Sequence, residues 1–127
     1  MNLLEEYIKL FDDLDNDLIF DAMLDVGSQV QSVVERNSAN TVVGCQSQVW
    51  IEGVEEPTGW EFYLDSDSFM VKGLGSIICK CMSGMTTEEL EQVTFYDFRE
   101  IAKHFSQQRK QGMQAIINKC KHISRRG

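Results

Sequence analysis

Between Val49 and Asp65 the chain changes its period, and that change limits what it can build. Upstream, apolar residues recur three and four apart, the spacing of one helix face. They are Leu3, Leu4, Tyr7, Ile8 and Phe11, then Leu18, Ile19, Ala22, Met23, Val26, Val30 and Val33. From residue 41 strand formers take over: Val42, Val49, Trp50, Ile51 and Val54. Trp60, Phe62 and Leu64 then alternate with Glu61, Tyr63 and Asp65, the pattern of a strand with one covered face. The chain's single proline stands between the two runs, in Glu55-Glu56-Pro57-Thr58-Gly59. Proline and glycine so placed mark a turn. Residues 47–65 therefore read as an antiparallel hairpin.

Helices flank it. The first is expected over 3–12, and a second, capped from Asp15-Asn16-Asp17, to about residue 35, with Gly27 inside it. Asn37-Ser38-Ala39-Asn40 is a polar break. After the hairpin, Asp65-Ser66-Asp67-Ser68 can cap a helix to about Ser83. Its apolar positions are Met70, Val71, Leu74, Ile77, Ile78, Cys81 and Met82, and Gly84 is a stop. Thr86-Thr87-Glu88-Glu89 is a further helix start. Helices over about 95–105 and 107–121 complete the chain. There is no repeat, low-complexity tract or linker, so residues 1–127 are expected to form one α+β domain, with helices covering one face of a small antiparallel sheet.

Composition excludes several classes. At 127 residues and 43% hydrophobic, a core is feasible without disulfide or metal staples. No run of about 18 apolar residues exists, which excludes a transmembrane helix. The start is acidic and amphipathic, unlike a secretory signal, and the expected location is cytoplasmic. The net charge is −8, with 15 acidic and 2 basic side chains in residues 1–67. An acidic half repels nucleic acid, so neither nucleic acid nor a membrane is expected as a partner. The basic end, Lys119 to Arg126, reads as a frayed, solvated helix terminus with cations favourably placed against the dipole.

Four cysteines stand at 45, 79, 81 and 120. In a reducing compartment they are free thiols. Cys79 and Cys81 are two apart and do not share a helix face, so they do not chelate one ion. Cys81 falls on the apolar stripe, and Cys79 lies off it, partly buried. Cys120 sits among lysines, which lower a thiol's pKa. No zinc spacing is present, and no metal site is expected. Cys45 differs. It follows Gly44 at a loop-to-strand junction, where glycine permits a tight loop tip. Gln46, Ser47 and Gln48 offer donors to a thiolate or persulfide anion. Residue types alone leave a reactive loop thiol and a buried cysteine evenly matched.

The segment Asn40-Thr41-Val42-Val43-Gly44-Cys45-Gln46-Ser47-Gln48-Val49-Trp50-Ile51 closely resembles the signature of the SufE family of sulfur-acceptor proteins. Asp65-Ser66-Asp67-Ser68 with Val71-Lys72-Gly73-Leu74, then Met85-Thr86-Thr87-Glu88-Glu89-Leu90, then Arg109 with Gly112-Met113, follow in the family's order. The likeness spans about residues 18–120. Phe105-Ser106-Gln107-Gln108-Arg109 departs from it, lacking the family's proline and Ser-Arg pair.

The resemblance implies helices on a sheet of about three strands, the fold shared with IscU-type scaffolds. It implies that Cys45 takes persulfide sulfur from a SufS-type, PLP-dependent cysteine desulfurase, stimulates that enzyme, and relays sulfur to a SufBCD-type assembly complex. The protein would hold no permanent cofactor, only a transient Cys45 persulfide. By position, Arg109 would either steady the thiolate, lowering its pKa, or contact the partner; an exposed arginine capping a turn is the bland alternative. Gly44, Gln46, Ser47, Gln48, Asp65 and Asp67 match positions around the loop, and the two aspartates would serve at least as helix caps.

Two rivals remain open. An Fe–S scaffold or metal-binding protein of the IscU-like fold needs several convergent ligands. A thiol hydrolase needs a Cys–His dyad, for which His104 and His122 are the candidates; both read as helix-surface histidines.

Overall fold

A computed structural model of the chain describes residues 2–31 and 34–126. The first helix, α1, spans Asn2–Asp12 and buries Leu4 and Phe11. The second, α2, spans Asn16–Gln29 and buries Ile19, Met23 and Gly27, four apart. Asp15 holds its N-cap position without a side-chain cap bond.

α2 ends about six residues before the expected boundary; Val33, expected on its stripe, lies outside the described residues. Its partner explains the stop. Helix α3 spans Phe69–Met82. A Cβ on Gly27 would land on the Phe69 carbonyl, and one on Gly73 on the Met23 carbonyl. The two backbones thus touch through glycines, which is why Gly27 is tolerated mid-helix despite its entropic cost. Since α3 begins beside Gly27, a longer α2 would project past its packing surface. Instead Val30 turns extended, and Val34 is buried further on.

The hairpin forms as expected. Strand β1 is Val49–Glu56 and β2 is Gly59–Ser66, in register from Val49 opposite Ser66 to Glu56 opposite Gly59, around Pro57 and Thr58. Gly59 has φ 140° and lies against the Gly84 backbone, where any Cβ would collide.

The sheet has two strands rather than about three. Residues 40–42 flank β1 with two hydrogen bonds, Val42 N–H to Val49 O at 2.8 Å and Ile51 N–H to Asn40 O at 2.9 Å. That run stays a single bridge, Thr41 to Trp50. It enters from a turn at 37–40 and leaves through Gly44, whose φ of 105° bends the chain away.

Val49, Ile51, Phe62 and Leu64 form the sheet's inner face and share one core with α3 and the long helix α6, Gln107–Arg126. α3 is buried almost all round, as a central helix must be when its neighbours cover every side. Its N-cap is Ser68, which accepts from the Val71 N–H at 3.3 Å; Asp65 and Asp67 are not the caps. Thr86 and Glu89 form the capping box of α4, Thr87–Gln92.

The single helix expected over 95–105 is instead a 3-10 turn, Phe95–Phe98, and a one-turn helix α5, Arg99–Ala102. The chain breaks there because His104 and Phe105 turn edge-on to Phe11 of α1, with ring centroids 6.1 and 6.4 Å away.

Nor is the basic end frayed. It is helical to Arg126, Ser124 is buried, and Arg125 pairs with Glu91 at 2.6 Å. Lys119 and Lys121 donate to the carbonyls of Ala39 and Val93, each at 2.7 Å. Among the described residues no helix is long and apolar enough to cross a membrane.

Candidate functional site

The Val42–Val49 hydrogen bond closes the base of a loop, residues 43–48, that carries Cys45. The end of β2 and the residue just past it hold the exit stem, and Asp65 of β2 holds the segment that leads into the entry stem. On the exit side Asp67 accepts from the Gln48 N–H at 3.0 Å, and Gln48 O accepts from the Ser66 hydroxyl at 2.7 Å and the Asp67 N–H at 3.2 Å. On the entry side Asp65 pairs with Arg36 at 3.0 Å, and Arg36 lies over the Trp50 ring at 4.6 Å. Asp65 also takes Lys72 of α3 at 3.2 Å. Burial works against ionising Asp65, but hydrogen bonds from Arg36, Lys72 and the Ser66 N–H outweigh it and hold the carboxyl below its ordinary value. The two aspartates expected as helix caps are therefore loop anchors.

Gly44 sits in the left-handed region, and a Cβ there would press on Ala115 of α6 at 3.3 Å. The next residue, Cys45, is half-buried. Its Sγ lies 3.7 Å from the Gly112 carbonyl, a weak S–H donor contact. It faces a cavity of about 50 Å³ walled by Val71, Leu74 and Gly75 of α3 and Met113 and Ile116 of α6. Gln46, Ser47, Gln108 and Arg109 complete the lining. About 10–15 Å³ suffices for one water, so the space has room beyond the thiol.

The electrostatics differ from the expectation. Burial pushes the Cys45 thiol above its ordinary value, and Arg109 does not offset it. The guanidinium lies over the Phe20 ring, 5.8 Å from its centroid. Among the described residues, the Gln46, Ser47 and Gln48 side chains give the sulfur no hydrogen bond; its polar partner is Gly112. In this state Cys45 is a sheltered thiol rather than a thiolate.

The other three cysteines are core residues. Cys79 is 2% exposed, Cys81 5% and Cys120 0%, so Cys79 is more deeply buried than its off-stripe position suggests. Burial, then the neighbouring Cys79, pushes the Cys81 thiol up to about 12. Burial and Cys79 also raise Cys120 well above normal, opposite to the lowering expected from nearby lysines. Lys119 is occupied with the Ala39 carbonyl. Neither histidine lines the Cys45 cavity; His104 lies 3.3 Å from Asp12, and His122 is exposed. Among the described residues, no three His, Cys, Asp or Glu side chains come close enough to hold a metal ion.

Reading along the chain did not identify Gln108, Gly75 or Arg36. Gln108 and Gly112 are four apart on α6, with Arg109, Met113 and Ile116 on the same face, a spacing that marks one wall once the cavity is known.

A family model described as SufE, Fe-S metabolism associated domain, matches residues 5–124. The solution structure of a hypothetical protein from Thermus thermophilus superposes with a TM-score of 0.78 at 18% identity, covering 98% of this chain and 94% of that one. At that identity the likeness is one of fold.

Proposed function

This chain belongs to the SufE family, a domain associated with Fe–S metabolism, and on that premise we propose that it is a sulfur acceptor and carrier using Cys45. The observation that carries the reading is the contrast among the four thiols: Cys45 alone sits on a loop and is only half-buried, while Cys79, Cys81 and Cys120 lie on helices and are buried. The partners are a SufS-type cysteine desulfurase as donor and a SufBCD-type assembly complex as recipient.

The step is an exchange at sulfur. The Cys45 thiolate attacks the outer sulfur of the donor's persulfide, a new S–S bond forms, and the old one breaks. The donor leaves as a thiolate and takes up the proton that Cys45 gave up. Persulfide plus thiol yields thiol plus persulfide, so no oxidant or reductant is consumed.

A thiol held above its ordinary pKa attacks slowly. Transfer therefore requires Cys45 to leave its apolar seat when the donor docks, which removes the desolvation that suppresses ionisation. Arg109, at the rim, then serves as a partner contact or as a cation beside the extruded thiolate. An Fe–S scaffold gains no support from the geometry, because its three or four ligands have no counterpart beside Cys45 among the described residues. A Cys–His hydrolase lacks its base at the cavity.

Steady-state desulfurase turnover tests the proposal. Adding this protein to a cysteine desulfurase should raise sulfide release from cysteine in the presence of a reductant, and Cys45→Ser should abolish the stimulation. Equal stimulation by Cys45→Ser would remove Cys45 from the mechanism.

A further inference from the structure

The entry stem of the Cys45 loop is pinned to β1 through Val42 and its exit stem to Ser66 and Asp67 at the end of β2, but its tip is held differently. Among the described residues, two polar contacts join the tip to α6. One is the weak thiol contact to the Gly112 carbonyl at 3.7 Å. The other is an amide bridge, in which Nε2 of Gln108 donates to Oε1 of Gln46. Both glutamines are exposed and both line the cavity that receives Sγ. The bridge thus spans the mouth, from the residue beside Cys45 to the helix that walls the cavity. An amide pair is a much better hydrogen bond than a thiol on a carbonyl, so the bridge is the tip's main polar attachment.

We propose that the Gln46–Gln108 bridge is a latch that keeps Cys45 seated, and that a docked protein releases it by offering its own amide groups to the two glutamines. Each carboxamide has a donor and an acceptor side. A protein surface laid over the mouth can replace the lost bond on both residues. A small thiol, polysulfide or alkylating agent is too small to replace the lost bond on both glutamines at once and must wait for spontaneous opening. The latch thereby favours macromolecular sulfur donors over small ones. Its existence stands on the geometry, whereas its purpose rests on the sulfur-acceptor reading above.

Local opening of this kind exposes Sγ in proportion to the open population. Losing one net hydrogen bond raises that population by about two- to tenfold. It also returns the thiol to water, where the burial penalty on its ionised form disappears. Arg109 is the charged side chain lining the cavity, and the variant leaves it in place.

The experiment is Cys45 alkylation by iodoacetamide on the full chain, followed by peptide mass analysis across a pH series. Wild type is compared with Gln108→Ala and with Gln111→Ala, an exposed α6 position outside the cavity lining. Gln108→Ala should react about two- to tenfold faster, with its pH profile moved to lower pH and its melting midpoint lowered by no more than the roughly 2–6 °C that loss of one hydrogen bond brings. Gln111→Ala should match wild type. An unaltered Gln108→Ala rate and profile, an equal rise in Gln111→Ala, or a melting midpoint lowered by more than about 6 °C overturns the latch.

A second arm loads sulfur from inorganic polysulfide and from a cysteine desulfurase. Gln108→Ala should gain more with polysulfide than with the desulfurase, and equal gains overturn the selectivity role. If neither donor loads Cys45 in any form, the sulfur-acceptor reading falls while alkylation still decides the latch.

Discussion

Replacing Asp65 by Asn removes the charge that ties three segments together while keeping a side-chain oxygen for the Ser66 N–H. The wild-type carboxylate takes Arg36 at 3.0 Å and Lys72 at 3.2 Å. Asp65 and Lys72 side chains are 14% and 15% exposed, whereas Arg36 is 53% exposed. An exposed ion pair contributes roughly 0–1 kcal/mol, and removing one partner of a fully buried pair costs roughly 3–5 kcal/mol. This cluster lies between, so the loss should be about 2 kcal/mol. At about 2.1 cal/mol/K of unfolding entropy per residue, a chain of this length loses about 4 °C per kcal/mol, giving a melting midpoint about 8 °C lower at pH 7.

The pH dependence supplies an internal control. Because the folded carboxyl lies below its unfolded value, its contribution is complete above about pH 3.9 and is lost as pH falls through the folded value. Circular-dichroism melts of wild type and Asp65→Asn should therefore converge at acid pH. A gap under about 2 °C at pH 7 on that same entropy scale, or a gap that persists undiminished in acid, would refute the assigned role of Asp65.

Three other outcomes follow from the same contacts. Asp67→Ala frees the Gln48 N–H and should speed Cys45 alkylation several-fold, while Asp67→Asn, which keeps an acceptor oxygen, should stay near wild type; equal rates for all three would remove the clamp. Gly73→Ala forces α2 and α3 apart at a backbone contact and should cost about 3 kcal/mol or more, read as a lowered urea midpoint. The rate of native Cys45 alkylation should rise with pH at a higher midpoint than in denaturant, since burial raises its pKa; a native midpoint at or below the denatured one contradicts the sheltered-thiol state.

What sequence reading supplied was mostly local. The hairpin was legible because Pro57 and Gly59 punctuate an alternating pattern. α4 was legible because Thr86 and Glu89 form a cap from residues three apart. Features set by distant neighbours were not. The end of α2 depends on where α3 begins, and the break near residue 103 depends on Phe11 of α1. The third strand shrank to one bridge because Gly44 diverts the chain after two hydrogen bonds.

Within the site, Cys45, Gln46, Ser47 and Arg109 line one cavity. Their electrostatics were illegible, since the distance from Arg109 to Phe20 and the depth of the thiol are tertiary facts. Cys120 shows the same limit: basic neighbours in sequence suggested a lowered pKa, and complete burial reversed the sign.

The central claim, that Cys45 receives sulfur, is tested most directly by intact-mass analysis after incubation with a cysteine desulfurase and cysteine, without reductant. The wild-type chain should gain one sulfur, mapped to the peptide containing Cys45, and Cys45→Ser should gain none. Sulfur retained by Cys45→Ser, or mapped to Cys79, Cys81 or Cys120 in the wild type, would contradict the account.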